Sequence, residues 1–482
     1  MKNFGISIFV VLAVAFVLYA VGHGNFVMAG LFVAALIFCR VLTLRRKLIY
    51  FVLFAQFAGV ALPVSFLRTM PVAIFVQMVY IVGEILHRSV GGKRLQWKKS
   101  DLYLLVFILF IPVIAGVRGF GIYGLGGSSI GGMDYINMIV LLLFMLISSA
   151  AVRDGLFDVE KGFRYMLIGA MVSASASLLV SLFPDSYRVV TQFIILPQTE
   201  VSEEGVGRMS AVGLLACMLM PYVMTRPAFK WRVVLALGCF ALAGISGFRT
   251  WLVIVGVLYV SAEIYMYRLT VEKVCAGLIL GLVLYGVIWI ACPSLDMRIQ
   301  RSLSVVPGFG GRVEVAASKA ATESSEWRHE VYKLCVKNAP KYSIVGRGLG
   351  QSLSGALVFL ESTRRDIQFA IYHYEAHSYH LAIFTLLIDY GSLATLFFIA
   401  SISVNIRKAW RFRTRLNCDL YQKYAGVYLL VMAGTLLTIW SGFGGNPLYL
   451  LMSSFILLNA AEYSGVKSQP SVLRPESKGW RR

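Results

Sequence analysis

Four of the six histidines, His329, His373, His377 and His380, fall within residues 293–380, together with Arg328, Arg347, Arg364 and Arg365. An imidazole titrates close to neutral pH and suits proton transfer. A guanidinium is always charged, and its forked donors match phosphate oxygens. A segment that gathers both types can take a proton from one reactant and steady a phosphate-bearing group on another. His373, His377 and His380 are spaced four and three apart, so on a helix they line one face, which raises a metal site. No HExxH motif is completed, since His329-Glu330 is followed by no second histidine at the required step, and three histidines on one exposed helix are strained as ligands to a single ion. A catalytic base is the stronger reading. The bland one is an interfacial cap rich in Tyr and His.

Arg328 sits in Glu326-Trp-Arg-His-Glu-Val-Tyr-Lys-Leu-Cys, where Trp327, Val331, Leu334 and Cys335 form one apolar stripe of a helix. That helix is expected to stop near Ala339, because Pro340 disfavours a helical residue before it. Arg328, Tyr332 and Cys335 share a neighbouring face, and the plain alternative for Arg328 is a surface pair with Glu326 or Glu330. Arg249, in Ser246-Gly-Phe-Arg-Thr-Trp-Leu, is either an interfacial anchor beside Trp251 or a phosphate contact. Gly346-Arg-Gly-Leu-Gly-Gln is not GxGxxG and opens no βαβ unit, so it supports only a turn that lets a backbone approach something closely.

These residues must be positioned by a membrane body. Of 482 residues, 58% are hydrophobic and 14% charged, and the mean hydropathy is +0.74, which excludes an ordinary soluble domain. The net charge of +21 lies largely in short loops between apolar segments, so it reads as topology signal and not as a nucleic-acid surface. Of seven cysteines, only Cys292 and Cys335 are placed to meet in an oxidising compartment, and their pairing stays open.

In chain order the apolar runs are residues 4–22, 26–44, 48–66, 70–87, 102–117, 135–152, a seventh ending at Pro184, then 209–225, 233–247, 250–267, 274–292, 380–404, 424–441 and 448–463. This gives about fourteen spans. Basic turns at residues 45–47, 88–99, 226–232 and 407–415 fall on one side, and the glycine-rich loop 119–132 and the acidic Glu200, Glu203 and Glu204 on the other. The fold class is an all-α polytopic membrane protein: residues 1–292 hold spans one to eleven, 293–380 a large, partly helical outer loop, 381–463 the last three spans, and 464–482 a polar, disordered tail. Both termini are expected inside. Glu84 and Glu263, near the inner ends of spans, are expected to reach water.

Four patterns now stand in order: Ser246-Gly-Phe-Arg-Thr-Trp-Leu, Trp327-Arg328, Gly346-Arg-Gly-Leu-Gly, and Ala376-His-Ser-Tyr-His ahead of Leu-Ile-Asp-Tyr-Gly. Together they resemble the bacterial O-antigen polymerase and ligase superfamily over about residues 244–400. The resemblance implies a GT-C-like, metal- and cofactor-independent glycosyltransferase of the bacterial inner membrane, with its active site facing the periplasm. It implies that Arg249 and Arg328 hold the lipid diphosphate and that His377 or His380 serves the acceptor, with Tyr332 and Arg347 as secondary residues. His377 fits the local Ala-His-polar context and His380 the distance to Gly391, while Ser378 replaces the usual Asn. Implied partners are undecaprenyl-diphosphate-linked glycans, membrane lipids, a flippase and a chain-length regulator; nucleic acid is not among them.

The leading function is polymerisation, moving a glycan from undecaprenyl diphosphate to the terminal sugar of another lipid-linked repeat unit. A ligase with lipid A core or a protein as acceptor is the nearest alternative. A lipid-linked oligosaccharide flippase is the alternative from another class, weakened by the lack of an internal repeat and by the polar residues gathering in one loop.

Overall fold

The computed structural model describes residues 47–60, 71–90, 97–118, 132–154, 157–194, 200–202, 205–267, 270–304, 306–349, 365–375, 377, 379, 381–413, 419–438 and 446–467. The expected spans at 4–22 and 26–44, nearly all of loop 119–132, Glu203, Glu204, Arg364, His380 and the tail beyond Lys467 lie outside the described residues.

The described chain is almost entirely helical. Its membrane-type helices are α1 (Lys47–Ala58), α2 (Val72–Val90), α3 (Lys99–Arg118), α4 (Gly132–Ala151) and α5 (Val159–Leu182). A short α6 (Tyr187–Phe193) and an antiparallel hairpin, β1 (Glu200–Ser202) with β2 (Gly205–Arg208), follow. Next come α7 (Ser210–Met224), α8 (Phe229–Ile245), α9 (Arg249–Met266) and α10 (Val271–Ala291). The long loop contains α11 (Met297–Leu303), α12 (Val315–Asn338) and α13 (Arg365–Glu375). The chain then passes through α14 (Ala382–Thr385) and a π turn (Leu386–Tyr390) into α15 (Gly391–Phe412), α16 (Leu420–Thr438) and α17 (Asn446–Lys467).

Among the described residues, six helical stretches are long and apolar enough to cross a membrane: Val72–Ser89, Lys99–Arg118, Val159–Leu182, Arg249–Met266, Val271–Ser294 and Ala382–Phe412. The 20 residues of α3 rise about 30 Å, the thickness of a hydrocarbon core. Inside the bundle α4 lies against α2, α3 and α17, α15 between α3 and α16, and α9 against α7, α8 and α16. One apolar core runs through these helices. A separate small core of Val331, Cys335, Ala370, Tyr374, Tyr379 and Ile388 joins α12, α13 and the π turn. As expected from Pro340, α12 gives way at Ala339 to a single 3₁₀ turn.

Burial corrects the reading of several charges. Glu84 and Glu263 do not reach water: Glu84 is buried against Arg88 at 2.6 Å, and Glu263 against Arg232 at 2.7 Å. Arg232 belongs to α8 and not to a loop. Lys98 and Lys408, expected as turn charges, join Arg153, Asp101, Asn459 and Glu462 in an ionic cluster that ties α3, α15 and α17 together; the Arg153 guanidinium reaches Asp101 Oδ1 at 2.8 Å and Lys98 reaches Glu462 at 2.9 Å. A carboxylate in a low-dielectric core is tolerated only when paired, and helix ends are where chain-distant partners can be brought together. Cys292 and Cys335 are both buried free thiols.

Candidate functional site

The last helical residue of α13 is Glu375. Two residues on, His377 turns the chain with φ 56, the one non-glycine positive φ among the described residues. The left-handed conformation is uncommon for a side chain with a Cβ and costs on the order of 1–3 kcal/mol, so surrounding contacts must hold it. This overturns the single-face reading of the histidines: His373 is helical, His377 is not, and the metal-site spacing disappears with it.

Asp389 supplies the main contact. Its side chain is fully buried, and its Oδ1 lies 2.8 Å from His377 Nδ1 and 2.7 Å from the Tyr379 hydroxyl. An ionised carboxylate only accepts, so Nδ1 donates to it and Tyr379 donates as well. Burial, with the Asp389 charge beside it, drives the Tyr379 hydroxyl far above the usual tyrosine range and keeps it a donor. An orienting carboxylate behind an imidazole is the arrangement that fixes the tautomer of a general base.

The π turn explains how an aspartate in an apolar helix comes to face the loop. A π turn interrupts the helical hydrogen-bond ladder, and such turns often sit at functional sites. The carbonyls of Ile388 and Asp389 accept instead from Arg347 N at 2.6 Å and Gly348 N at 2.9 Å, and Ser392 N donates to Ser343 O at 2.7 Å. Residues 343–349 thus form a backbone strap over the turn. The far edge of the strap is fastened by Arg118, whose guanidinium donates to Gly346 O at 2.9 Å and Val345 O at 3.0 Å, and by Tyr135, whose hydroxyl accepts from Leu349 N at 2.6 Å. A Cβ at Gly346 would collide with the Asp389 carbonyl, and one at Gly391 with the Ile344 carbonyl. The glycine motif is therefore the close backbone approach expected of it, and what it approaches is the aspartate turn.

Arg347 extends its side chain from the strap to α13, donating to Tyr374 O at 3.0 Å and pairing with Glu375. Burial opposes its charge, but Tyr379, Glu375, Asp389 and Tyr374 together raise its pKa further. Arg328, on α12, has its guanidinium 5.4 Å from the Trp327 ring; that ring stacks on His373 at 4.3 Å. Burial, and then the Arg328 charge, lower the His373 pKa and keep that ring neutral. Tyr332 packs on Phe384 at 5.6 Å, and Glu330 pairs with Lys333 at 2.8 Å. Arg328, Tyr332, Arg347 and His377 thus all border the small core of α12, α13 and the π turn. Cys335 lies within that core, its thiol pushed up to about 12 by burial and by Asp389.

Arg249 stands elsewhere. It begins α9, and its guanidinium donates to Arg301 O at 2.5 Å and Ser304 Oγ at 3.3 Å, at the end of α11. Trp251 is no interfacial neighbour: it is buried over Gly213, with Nε1 on Ser210 Oγ at 3.1 Å. The Ser246-Gly-Phe-Arg motif builds the turn itself, with Ser246 Oγ accepting from Phe248 N at 3.2 Å and Gly247 at φ 73. Because α11 packs on α12, Arg249 and Arg328 are connected through one intervening helix.

The site contains residues that sequence reasoning passed over: Asp389, Tyr379, Glu375 and Arg118. The available signal was Asp389, a lone carboxylate within an apolar run, which is a functional candidate by default. No protein-family model matches the chain, and no curated protein matches it.

Proposed function

We propose that the protein is a membrane glycosyltransferase that extends a lipid-linked polysaccharide, transferring a glycan from undecaprenyl diphosphate to a hydroxyl of another lipid-linked repeat unit. The observation that supports it most is His377, held on the buried Asp389 carboxylate through Nδ1 at 2.8 Å, in the loop that also carries Arg328. In this reading Nε2 takes the acceptor hydroxyl proton as the oxygen attacks the anomeric carbon. The bond from that carbon to the phosphate oxygen breaks, and undecaprenyl diphosphate departs with the electron pair. Arg328 steadies the departing diphosphate, and Arg249 joins it from the adjoining helix end. The reaction asks no cofactor of the chain. The body is GT-C-like, crosses the bacterial inner membrane about fourteen times with both termini inside, and presents residues 293–380 to the periplasm.

The test is extension of purified lipid-linked repeats by the full chain in detergent, read as a ladder on a gel. A ladder with wild type and none with His377→Ala is expected; a ladder of undiminished yield from His377→Ala would remove the base. Because no membrane compartments are present, extension also excludes transport as the sole activity. Deletion in cells separates the polymerase from a ligase: single-repeat chains mark a lost polymerase, and normal-length chains stranded on the lipid mark a lost ligase.

A further inference from the structure

We infer that Arg347 is the positioning residue that keeps His377 and Asp389 in register, gripping the aspartate turn with its backbone and the histidine turn with its side chain. The inference rests on the reading of His377 as the acceptor's base.

The contacts form a closed circuit. Arg347 N donates to Ile388 O at 2.6 Å, one residue before Asp389, and the next amide, Gly348 N, holds the Asp389 carbonyl. From the same residue Nη1 donates to Tyr374 O at 3.0 Å, and Nη2 pairs with the Glu375 carboxylate. Tyr374 O is also the acceptor of the His377 amide, at 3.3 Å. Arg347 therefore fixes the carbonyl from which the left-handed His377 turn hangs, and the His377–Asp389 hydrogen bond closes the loop.

Only arginine can do this from one position. A carbonyl and a carboxylate at the end of α13 need two donors in a fixed fork, close to the orphan carbonyls that any helix C-terminus leaves. The guanidinium side chain is buried to 10% exposure and lies 4.8 Å from the Tyr374 ring, so the fork has little freedom to turn. A lysine keeps the charge and the backbone amide but not the paired geometry. Without the fork, the His377 turn loses its anchor and relaxes from the left-handed conformation, and the imidazole leaves Asp389.

The experiment uses the full chain in detergent with ¹⁵N-labelled histidine side chains, the His377 signal assigned by its loss in His377→Ala. Wild type is expected to show His377 protonated on Nδ1. In Arg347→Met the signal moves toward the Nε2-protonated form that an unheld imidazole prefers, and turnover falls by about tenfold to a hundredfold with the donor KM unchanged. Arg347→Lys, expected to fall between the two, carries the same test if the Met variant does not accumulate. A His377 signal still protonated on Nδ1 in the folded variant overturns the inference. Full turnover in His377→Ala would instead overturn the base, while the ring-nitrogen signal would still report whether Arg347 sets the register.

Discussion

His377 Nδ1 and Asp389 Oδ1 are 2.8 Å apart, although His377 belongs to the loop and Asp389 to the π turn that leads into a membrane-type helix. With the carboxylate as acceptor, the hydrogen bond puts a proton on Nδ1.

Replacing Asp389 with Asn puts an amide where an acceptor is needed, and the ring can then present Nδ1 unprotonated and Nε2–H outward. Turnover is expected to fall about 10²–10⁴-fold, the range that general-base catalysis contributes, with lipid-donor binding retained. Single-turnover rates and donor binding in one preparation check it. Loss of binding in step with rate would make Asp389 a structural residue.

Arg328→Lys and Arg249→Lys preserve charge and lose the fork. For Arg328, which borders the His377 core, a sharp drop in turnover with unchanged thermal stability is expected. For Arg249 the same substitution also removes its hold on Arg301 O and Ser304, so stability and turnover should fall together. Wild-type turnover in both variants would end the case for a diphosphate clamp.

His373 gives the loop a pH dependence. Its folded pKa lies below the ordinary 6.5, through burial first and Arg328 second, so the unfolded chain takes up the proton before the folded one. Stability from this group is intact above pH 6.5, is lost as pH falls from there toward the folded pKa, and levels off below it. Thermal midpoints measured in steps from pH 8 to 5 should show the loss in wild type and a flatter profile in His373→Gln. A parallel profile in both would assign the dependence to other groups.

Gly346→Ala and Gly391→Ala each place a methyl into backbone and not into a pliable side chain. Overpacking of this kind costs about 1–3 kcal/mol, and here the strain falls on the turn that carries Asp389. Both variants are expected to lose turnover well before they lose helicity. Gly244→Ala, where a methyl meets nothing within 4 Å, is the comparison that should keep both.

Arg153→Met leaves Asp101 buried without its bidentate partner, and breaking such a pair costs about 3–5 kcal/mol. The thermal midpoint should fall clearly. Asp101→Asn together with Arg153→Met should recover part of it, because the orphaned charge is then gone.

Apolar run length and turn residues were enough, from sequence alone, to place helices α3 to α5 and α7 to α10 close to where they stand, and Pro340 marked the end of α12. Those features are local, since a span needs about twenty apolar residues in a row and a proline acts on its immediate neighbour. Residue type likewise singled out Arg328, Arg347 and His377 as chemistry-bearing. The tertiary structure decided which groups they meet. Asp389 faces His377 from a π turn in the helix, Arg347 reaches both the aspartate turn and the end of α13 because a glycine strap lies on that turn, and Glu263 is kept from water by packing against Arg232. A side chain's partner and its dielectric surroundings depend on atoms brought together across tens or hundreds of residues, and only packing fixes those.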